Sequence, residues 1–163
     1  MKKYQGESSV SMKMFLNRIK KEIKDIIDEP FEGIRLHPGE DDMRNWSGEI
    51  DGPEGTAYYG YVLKLNIKLT ENYPLEAPKI FFKHPVFHPN ISSSGHICLD
   101  ILQNQWAPTL TLKKVMLSIS SLLNDPNPSS PLNGTAANLW INNREVYNSN
   151  VITTCNAHCT KKI

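Results

Sequence analysis

The sequence contains little cysteine, no long apolar run and almost no net charge. Its three cysteines are an odd number, which argues against a disulfide framework in a chain of 163 residues that can build its own apolar core. No segment approaches the roughly 18 apolar residues of a membrane span, and the charged first residues are not followed by the apolar core of a signal peptide. We therefore expect an intracellular protein with reduced thiols.

The charge balance also narrows the class of partner. Lysine and arginine number 18 against 17 acidic residues, giving a net charge of +1. This value does not indicate a nucleic-acid partner, and no membrane contact is expected. The length is typical of one domain, which we place at residues 12–163 after a short amino-terminal extension at 1–11.

Hydrophobic periodicity predicts a helix followed by short strands. From Ser11 to Ile27, apolar residues recur at helical spacing, and the helix carries a basic outer face whose ordinary explanation is solvation. Residues 61–69 alternate between apolar and polar, as in a half-buried strand. Three shorter strands are predicted at 34–37, 46–50 and 79–82. Their short connections favour an antiparallel meander.

Residues 84–108 follow neither period and are rich in proline and polar residues. An irregular segment of this length in a compact domain is usually functional. Beyond it, Thr111 is a candidate N-cap for a buried helix that ends near Asp125. Two further helices are predicted, one short and one from Arg144 to about Cys159. The fold class is therefore α+β.

Cys98 lies inside the irregular segment rather than on a regular apolar face. Free cysteines are more often inert core residues, but this position makes Cys98 a candidate nucleophile. Two motifs flank it at similar distances, His88-Pro89-Asn90 upstream and Trp106-Ala107-Pro108 downstream.

Taken in order, these motifs resemble those of the ubiquitin-conjugating enzymes. The resemblance covers about residues 12 to 150. It rests on His88-Pro89-Asn90, Gly95-x-Ile97-Cys98-Leu99-Asp100-Ile101-Leu102, Trp106-x-Pro108 and Asp125-Pro126-Asn127-Pro128. It implies an N-terminal helix, a four-stranded antiparallel sheet, a long catalytic loop and three more helices. Residues 130–140 look like the branch that serves the anaphase-promoting cell-cycle ligase, whereas Trp106-Ala107-Pro108 looks like the general-purpose branch.

The resemblance implies a thioester mechanism. Cys98 would accept ubiquitin from the activating enzyme and pass it to a lysine, usually with a RING-type ligase. No metal or organic cofactor is implied, because ATP is used by the activating enzyme. The implied partners are ubiquitin, the activating enzyme, RING ligases and protein substrates. The chain is expected to be monomeric and to act in the cytoplasm and nucleus.

The resemblance also suggests roles around Cys98. Asn90 would either stabilise the oxyanion or bond loop backbone. His88 and Pro89 are interpreted as loop-structuring residues. Asp100 is the nearest candidate to assist the incoming amine. Ser130 stands where many relatives carry an acidic residue, so it can only orient the amine by hydrogen bonding.

Docking residues follow from the same family pattern. The ligase surface would consist of Arg18, Leu75, Ala107 and Pro108. The activating enzyme would contact Lys20, Lys21 and Lys24 on the first helix. Arg35 is expected to point outward from the sheet, which predicts weak binding of a second ubiquitin on that face; the alternative is that its side chain lies flat.

Four other readings are less favoured. Ubiquitin is favoured over another modifier by Cys98-Leu99-Asp100 and by the absence of extra residues before Trp106. A non-catalytic scaffold is less favoured because such variants generally lack the cysteine. A cysteine protease would need His88 or His96 to be hydrogen-bonded to the Cys98 thiol. The sequence around them contains no protease signature and no orienting asparagine in a matching context. Cys155-x-x-His158-Cys159 supplies too few ligands for a closed zinc site, so its cysteines are interpreted as surface thiols.

Overall fold

The computed structural model describes residues 9–163, in which four helices and five strands alternate as α1, β1 to β4, α2 to α4, β5. The helices are α1 Ser9–Asp28, α2 Leu112–Asn124, α3 Gly134–Asn142 and α4 Arg144–His158. The strands are β1 Ile34–Pro38, β2 Asn45–Asp51, β3 Tyr61–Lys68, β4 Lys79–Phe82 and β5 Thr160–Lys161. The predicted α+β fold is confirmed. Within the described part of the chain, no helix has the length and apolarity to cross a membrane.

The first helix begins earlier than its apolar pattern predicts. It includes Ser9 and Val10, inside the segment assigned to the extension, and residues 1–8 lie outside the described part. Phe15 and Ile19 are buried on its inner face, as expected, but Ile27 is 72% exposed.

Strands β1 to β4 form the predicted antiparallel meander in sequence order. One row of residues crosses all four strands on the core side: Leu36, Gly48, Leu65 and Phe82. A Cβ atom at Gly48 would lie 2.7 Å from the Met116 Cε atom. Glycine at this position therefore allows α2 to approach the sheet closely.

Helix α2 is the most buried helix, as predicted. Thr111 caps it by accepting a hydrogen bond from the Lys114 amide at 3.3 Å. Its apolar face packs on β1 and β2, and α1 packs against it. The buried members of this helix are Leu112, Lys113, Val115, Met116, Ile119 and Leu123.

The carboxyl-terminal strand β5 has no counterpart in the predicted four-stranded sheet. Thr160 and Lys161 pair with Val62 and Tyr61 of β3. Val62, which alternation placed on the solvent face, is buried at this pairing. A two-residue strand has no periodicity from which it could be predicted.

A buried carboxylate, Glu22, joins α1 to two other elements. Its side chain is 3% exposed although it lies on an otherwise apolar helix face. One oxygen accepts the Leu112 amide at 2.6 Å, and the other accepts the Tyr73 hydroxyl and the Arg18 Nε group. These donors compensate the desolvation of the charge. They also fix Arg18, whose guanidinium donates to the carbonyls of Pro108 and Leu110.

Arg35 lies flat across the sheet. Its guanidinium is 2.7 Å from Asp51 Oδ1 and 3.3 Å from Glu49 Oε1, both on the neighbouring strand. Asp51 raises the pKa of Arg35, and Arg35 in turn lowers the pKa of Asp51. The prediction of weak ubiquitin binding to this face assumed that the Arg35 side chain protrudes and blocks the partner. Because the side chain lies along the sheet, this steric argument no longer applies.

Candidate functional site

Cys98 lies at the end of a tight hairpin that packs against β4. Ile91 and Ile97 form an isolated antiparallel bridge, and both side chains are buried. Gly95 adopts a φ of +87°, and a Cβ atom there would lie 2.4 Å from the Phe82 carbonyl oxygen. The Phe82 amide donates to the Gly95 carbonyl at 2.9 Å. Glycine therefore permits both the turn and its attachment to the sheet.

The Cys98 side chain is partly exposed and its backbone is held in place. Its amide donates to the Asn90 carbonyl at 2.9 Å, across the base of the hairpin. A short 3-10 helix, Asp100–Leu102, begins two residues later. Within residues 9–163, no imidazole is hydrogen-bonded to the Cys98 sulfur, so the histidine that the protease reading requires is not in place.

The Asn90 side chain joins the hairpin to the segment after α2. It is 1% exposed. Its Nδ2 group donates to the Asn127 carbonyl at 2.7 Å and to the Ser130 carbonyl at 3.3 Å, while its Oδ1 accepts the Asn127 amide at 2.8 Å. The side-chain amide of Asn90 thus donates to backbone and accepts from backbone. Of the two roles considered for Asn90, oxyanion stabilisation and hydrogen bonding to loop backbone, this geometry corresponds to the second.

His88 is fully buried and attaches the same loop to α2. Its Nδ1 accepts the Asn90 amide at 3.0 Å, so the ring proton resides on Nε2, which donates to the Leu122 carbonyl at 2.7 Å. Burial lowers the pKa of His88 from 6.5 to about 4. The imidazole is therefore neutral at pH 7 and uses both nitrogens for structure, as a loop-structuring residue requires.

Pro89 contributes through its carbonyl oxygen. This atom accepts the amides of Leu132 at 2.8 Å and Asn133 at 3.1 Å. Asn133 in turn caps α3 by accepting the Ala136 amide at 3.0 Å. Residues 88–90 therefore form one connected support beneath Cys98, in contact with both the end of α2 and the start of α3.

The two residues predicted to position the amine, Ser130 and Asp100, are held by different backbone hydrogen bonds. The Ser130 carbonyl accepts a hydrogen bond from the Asn90 side chain, and the Ser130 side chain is exposed. Asp100 is exposed at the start of the 3-10 helix, where its carbonyl accepts the amides of Gln103 at 2.9 Å and Gln105 at 3.0 Å. Both side chains are exposed to solvent.

The predicted ligase-docking residues come together on two linked loops. The Trp106 indole donates to the Pro74 carbonyl at 3.0 Å, which holds the Leu75 loop beside the segment after the 3-10 helix. Leu75 is 62% exposed. The Arg18 guanidinium donates to the Pro108 carbonyl, and Pro108 follows the half-buried Ala107.

The three predicted lysines lie exposed on α1. Lys20 and Lys21 project into solvent, and Lys24 pairs with Asp28 one turn later. An open groove of about 500 Å³ runs between α1 and the Pro108 segment, with Lys21 and Arg18 on one wall. The structure therefore places Lys21 next to the segment that carries Pro108.

Tyr58 supports the irregular segment, although no sequence pattern predicts this role. Tyr58 lies in a turn without periodicity, yet it is buried, donates to the Phe87 carbonyl and contacts the Tyr147 hydroxyl at 3.2 Å.

The interpretation of the terminal cysteines as surface thiols is wrong for Cys155, which is 2% exposed, because α4 turns this residue toward the core.

Comparisons with known proteins agree with this arrangement. The family model described as "Ubiquitin-conjugating enzyme" matches residues 18–155. The chain is similar to the crystal structure of a candidate ubiquitin conjugating enzyme from Plasmodium yoelii, with 38% sequence identity and a TM-score of 0.83. That match covers 90% of this chain and 96% of the other. The matched span includes both Cys98 and Asn90.

The buried His88 predicts a loss of stability in acid. The unfolded chain binds a proton with a pKa near 6.5 and the folded protein only near 4, so the contribution is complete above pH 6.5 and falls as the pH drops toward 4. We expect the free energy of unfolding to fall by about 1.4 kcal/mol per pH unit in this interval from His88 alone. Urea unfolding of His88→Gln should show a shallower pH slope than the wild type. His96→Gln, which changes an exposed histidine, should keep the wild-type slope; equal slopes in all three proteins would contradict the assignment.

Proposed function

This chain belongs to the ubiquitin-conjugating enzyme family, and we propose that it carries ubiquitin as a thioester on Cys98 and transfers it to lysines of protein substrates. The observation that carries the proposal is the partly exposed Cys98 thiol on a hairpin fixed from beneath through Asn90. In the first step, the Cys98 thiolate attacks the thioester carbonyl on the activating enzyme and expels that enzyme's cysteine. In the second, a lysine amine attacks and Cys98 leaves as thiolate.

Thioester exchange suits a cysteine without an adjacent base. The incoming acyl group is already activated, so the protein needs to position the thiol rather than to generate an unusually strong nucleophile. The absence of an imidazole bonded to Cys98 within residues 9–163 fits this chemistry better than peptide hydrolysis. No cofactor is needed on this chain, because ATP is consumed by the activating enzyme.

We assign Asn90 the role of a positioning residue. Its two N–H groups bind the carbonyls of Asn127 and Ser130, so an oxyanion would have to displace one of these bonds. Asp100 and Ser130 are the candidates for orienting the amine. Of the two, only the Asp100 carboxylate can accept the proton that the amine loses.

The Cys98 assignment predicts a specific adduct. Incubation with the activating enzyme, ATP and ubiquitin should give one adduct that reducing agent removes. Cys98→Ala should give none, and Cys98→Ser should give an ester that resists reduction because oxygen replaces sulfur in the acyl bond. Gels with and without reducing agent measure this. A panel of other modifiers tests the alternative substrate, and a wild-type protein without any adduct would favour the non-catalytic scaffold.

We propose that a RING-type ligase binds the surface formed by Leu75, Ala107 and Pro108 with Arg18 behind it. A leucine that is 62% exposed at a loop tip is a suitable apolar anchor. The Trp106 to Pro74 hydrogen bond holds both loops in one surface, so a ligase can contact them together without ordering them first.

Leu75→Ala should separate ligase stimulation from charging. We expect normal thioester formation and a loss of about tenfold in ligase-stimulated discharge, because the variant removes an anchor that does not touch Cys98. Single-turnover discharge with and without a RING ligase measures both rates. Leu117→Ala removes a leucine that is 46% exposed on α2 and should discharge like the wild type. Equal stimulation of Leu75→Ala and the wild type would rule this surface out.

We propose that the activating enzyme reads the basic face of α1. Reversing Lys20, Lys21 and Lys24 to glutamate should slow charging, and the difference should shrink as salt is added because the attraction is electrostatic. A control variant reverses three exposed lysines of the sheet region, Lys68, Lys79 and Lys83, for the same change in net charge. Equal slowing of the two variants would show an effect of net charge rather than of a specific surface.

The remaining assignments extend this proposal. We further propose that the chain acts as a monomer in the cytoplasm and nucleus. The resemblance of residues 130–140 favours the cell-cycle branch of the family, whereas Trp106-Ala107-Pro108 favours the general-purpose branch. Purification of the charged protein with candidate ligases distinguishes that branch from the general-purpose one.

A further inference from the structure

Two cysteines and a histidine lie close together where α4 ends. Cys155 is 2% exposed, and Cys159 is the partly exposed residue that caps the same helix one turn later. The Cys159 amide donates to the Cys155 carbonyl at 2.8 Å, so the last turn is intact. The Cys159 sulfur lies 3.8 Å from Nδ1 and 4.0 Å from Nε2 of His84.

We propose that Cys159 and Cys155 form a second thiol site, at which the accessible Cys159 reacts with peroxides and the buried Cys155 converts the product into a disulfide within α4. The pairing of one accessible and one buried thiol supplies an attacking residue and a resolving residue. The proposal does not depend on ubiquitin transfer, since it uses neither Cys98 nor its supporting residues.

The neighbouring thiol favours a thiolate at Cys159. Cys155 precedes Cys159 by one helical turn, and the interaction between the two thiols lowers the pKa of Cys159 and raises that of Cys155. The accessible thiol is therefore the more acidic of the two. The carboxyl end of a helix disfavours an anion, so this thiolate depends on its donors. Cys155 is the principal one.

His84 forms a wall of the site rather than its base. Its Nε2 accepts the Lys64 amide at 3.0 Å, so the ring proton lies on Nδ1, which donates to the Pro85 carbonyl at 3.0 Å. Both nitrogens are thus engaged by backbone. The Cys159 sulfur lies 3.8 Å from Nδ1 and 4.0 Å from Nε2, and the imidazole also lowers the pKa of Cys159. His84 therefore covers the thiol on one side and supports its thiolate.

The chemistry balances with a peroxide as the oxidant. The Cys159 thiolate attacks one oxygen of hydrogen peroxide, the O–O bond breaks, and protonation gives sulfenic acid and water. The Cys155 sulfur then attacks the Cys159 sulfur, the S–O bond breaks, and a second water leaves with the Cys155 proton. Each thiol loses one hydrogen, and the peroxide is reduced to two waters.

The disulfide would change the end of α4. Disulfides need Cβ atoms about 3.8 Å apart, whereas residues one turn apart on a helix have Cβ atoms about 5–6 Å apart. Closing the bond therefore distorts the last turn. Thr160, the first residue of β5, follows directly, so oxidation should loosen the pairing of β5 with β3.

Trypsin separates this site from Cys98. Cleavage after Arg144 and Lys161 releases residues 145–161 with both Cys155 and Cys159, whereas cleavage after Lys83 and Lys113 releases residues 84–113 with Cys98 alone. The full-length protein is treated with hydrogen peroxide at an amount equal to the protein, alkylated and digested. We expect peptide 145–161 to lose two hydrogens and to resist alkylation, while Cys98 is still alkylated.

Two replacements of Cys155 separate its roles. Cys155→Ser keeps a donor but cannot resolve, and Cys155→Ala loses both functions. In each, dimedone should trap a sulfenic acid on Cys159 after peroxide treatment. Iodoacetamide should alkylate Cys159 in Cys155→Ala about tenfold more slowly than in Cys155→Ser, because only the serine can hydrogen-bond to the thiolate. Thermal unfolding checks that both variants are folded.

A third variant keeps the proposal testable if changes at the buried position disturb the core. Cys159→Ser alters a partly exposed residue and should abolish the loss of two hydrogens. The proposal is overturned if Cys98 is oxidised while peptide 145–161 keeps both thiols. It is equally overturned if Cys159→Ser still loses two hydrogens in that peptide.

Discussion

The Asn90 side chain holds together two segments that lie far apart in sequence, and the position of Cys98 depends on it. Its amide is bound by three backbone groups after α2, and its own carbonyl accepts the Cys98 amide. A buried amide that is fully paired is costly to displace, because the groups left behind would lose their partners. One residue therefore links the Cys98 hairpin to the segment between α2 and α3, and His88 attaches the same loop to α2.

This arrangement suits the proposed transfer of an already activated acyl group. The buried polar groups hold the loop in place rather than activate the thiol, because the His88 imidazole is neutral and the Asn90 amide is bonded to backbone. The surfaces proposed for partners are built in the same way. The Trp106 to Pro74 bond and the Arg18 contact to Pro108 hold two loops together, while Leu75 stays accessible.

Local patterns predicted most of the regular structure because each element carries its own signal. The alternation in β3 and the Thr111 cap depend on nearby residues only, and both are found as predicted. The two-residue β5 was missed because pairing with β3, rather than any pattern of its own, makes it a strand. The sequence shows that Glu22 lies on an apolar helix face, but it does not show which groups bind its carboxylate. The donors Tyr73 and Leu112 come from distant segments.

The sequence by itself determined the order of α1, β1 to β4 and α2 to α4, and the motif set around Cys98, since both are encoded in short spacings. Only the tertiary structure decided what each polar side chain contacts. It directed the Asn90 amide toward backbone, laid Arg35 along the sheet, and turned Cys155 inward while Cys159 stayed accessible. The physical reason is that burial and hydrogen-bond partners are set by segments that meet only after folding. Periodicity along one segment carries no information about these tertiary contacts.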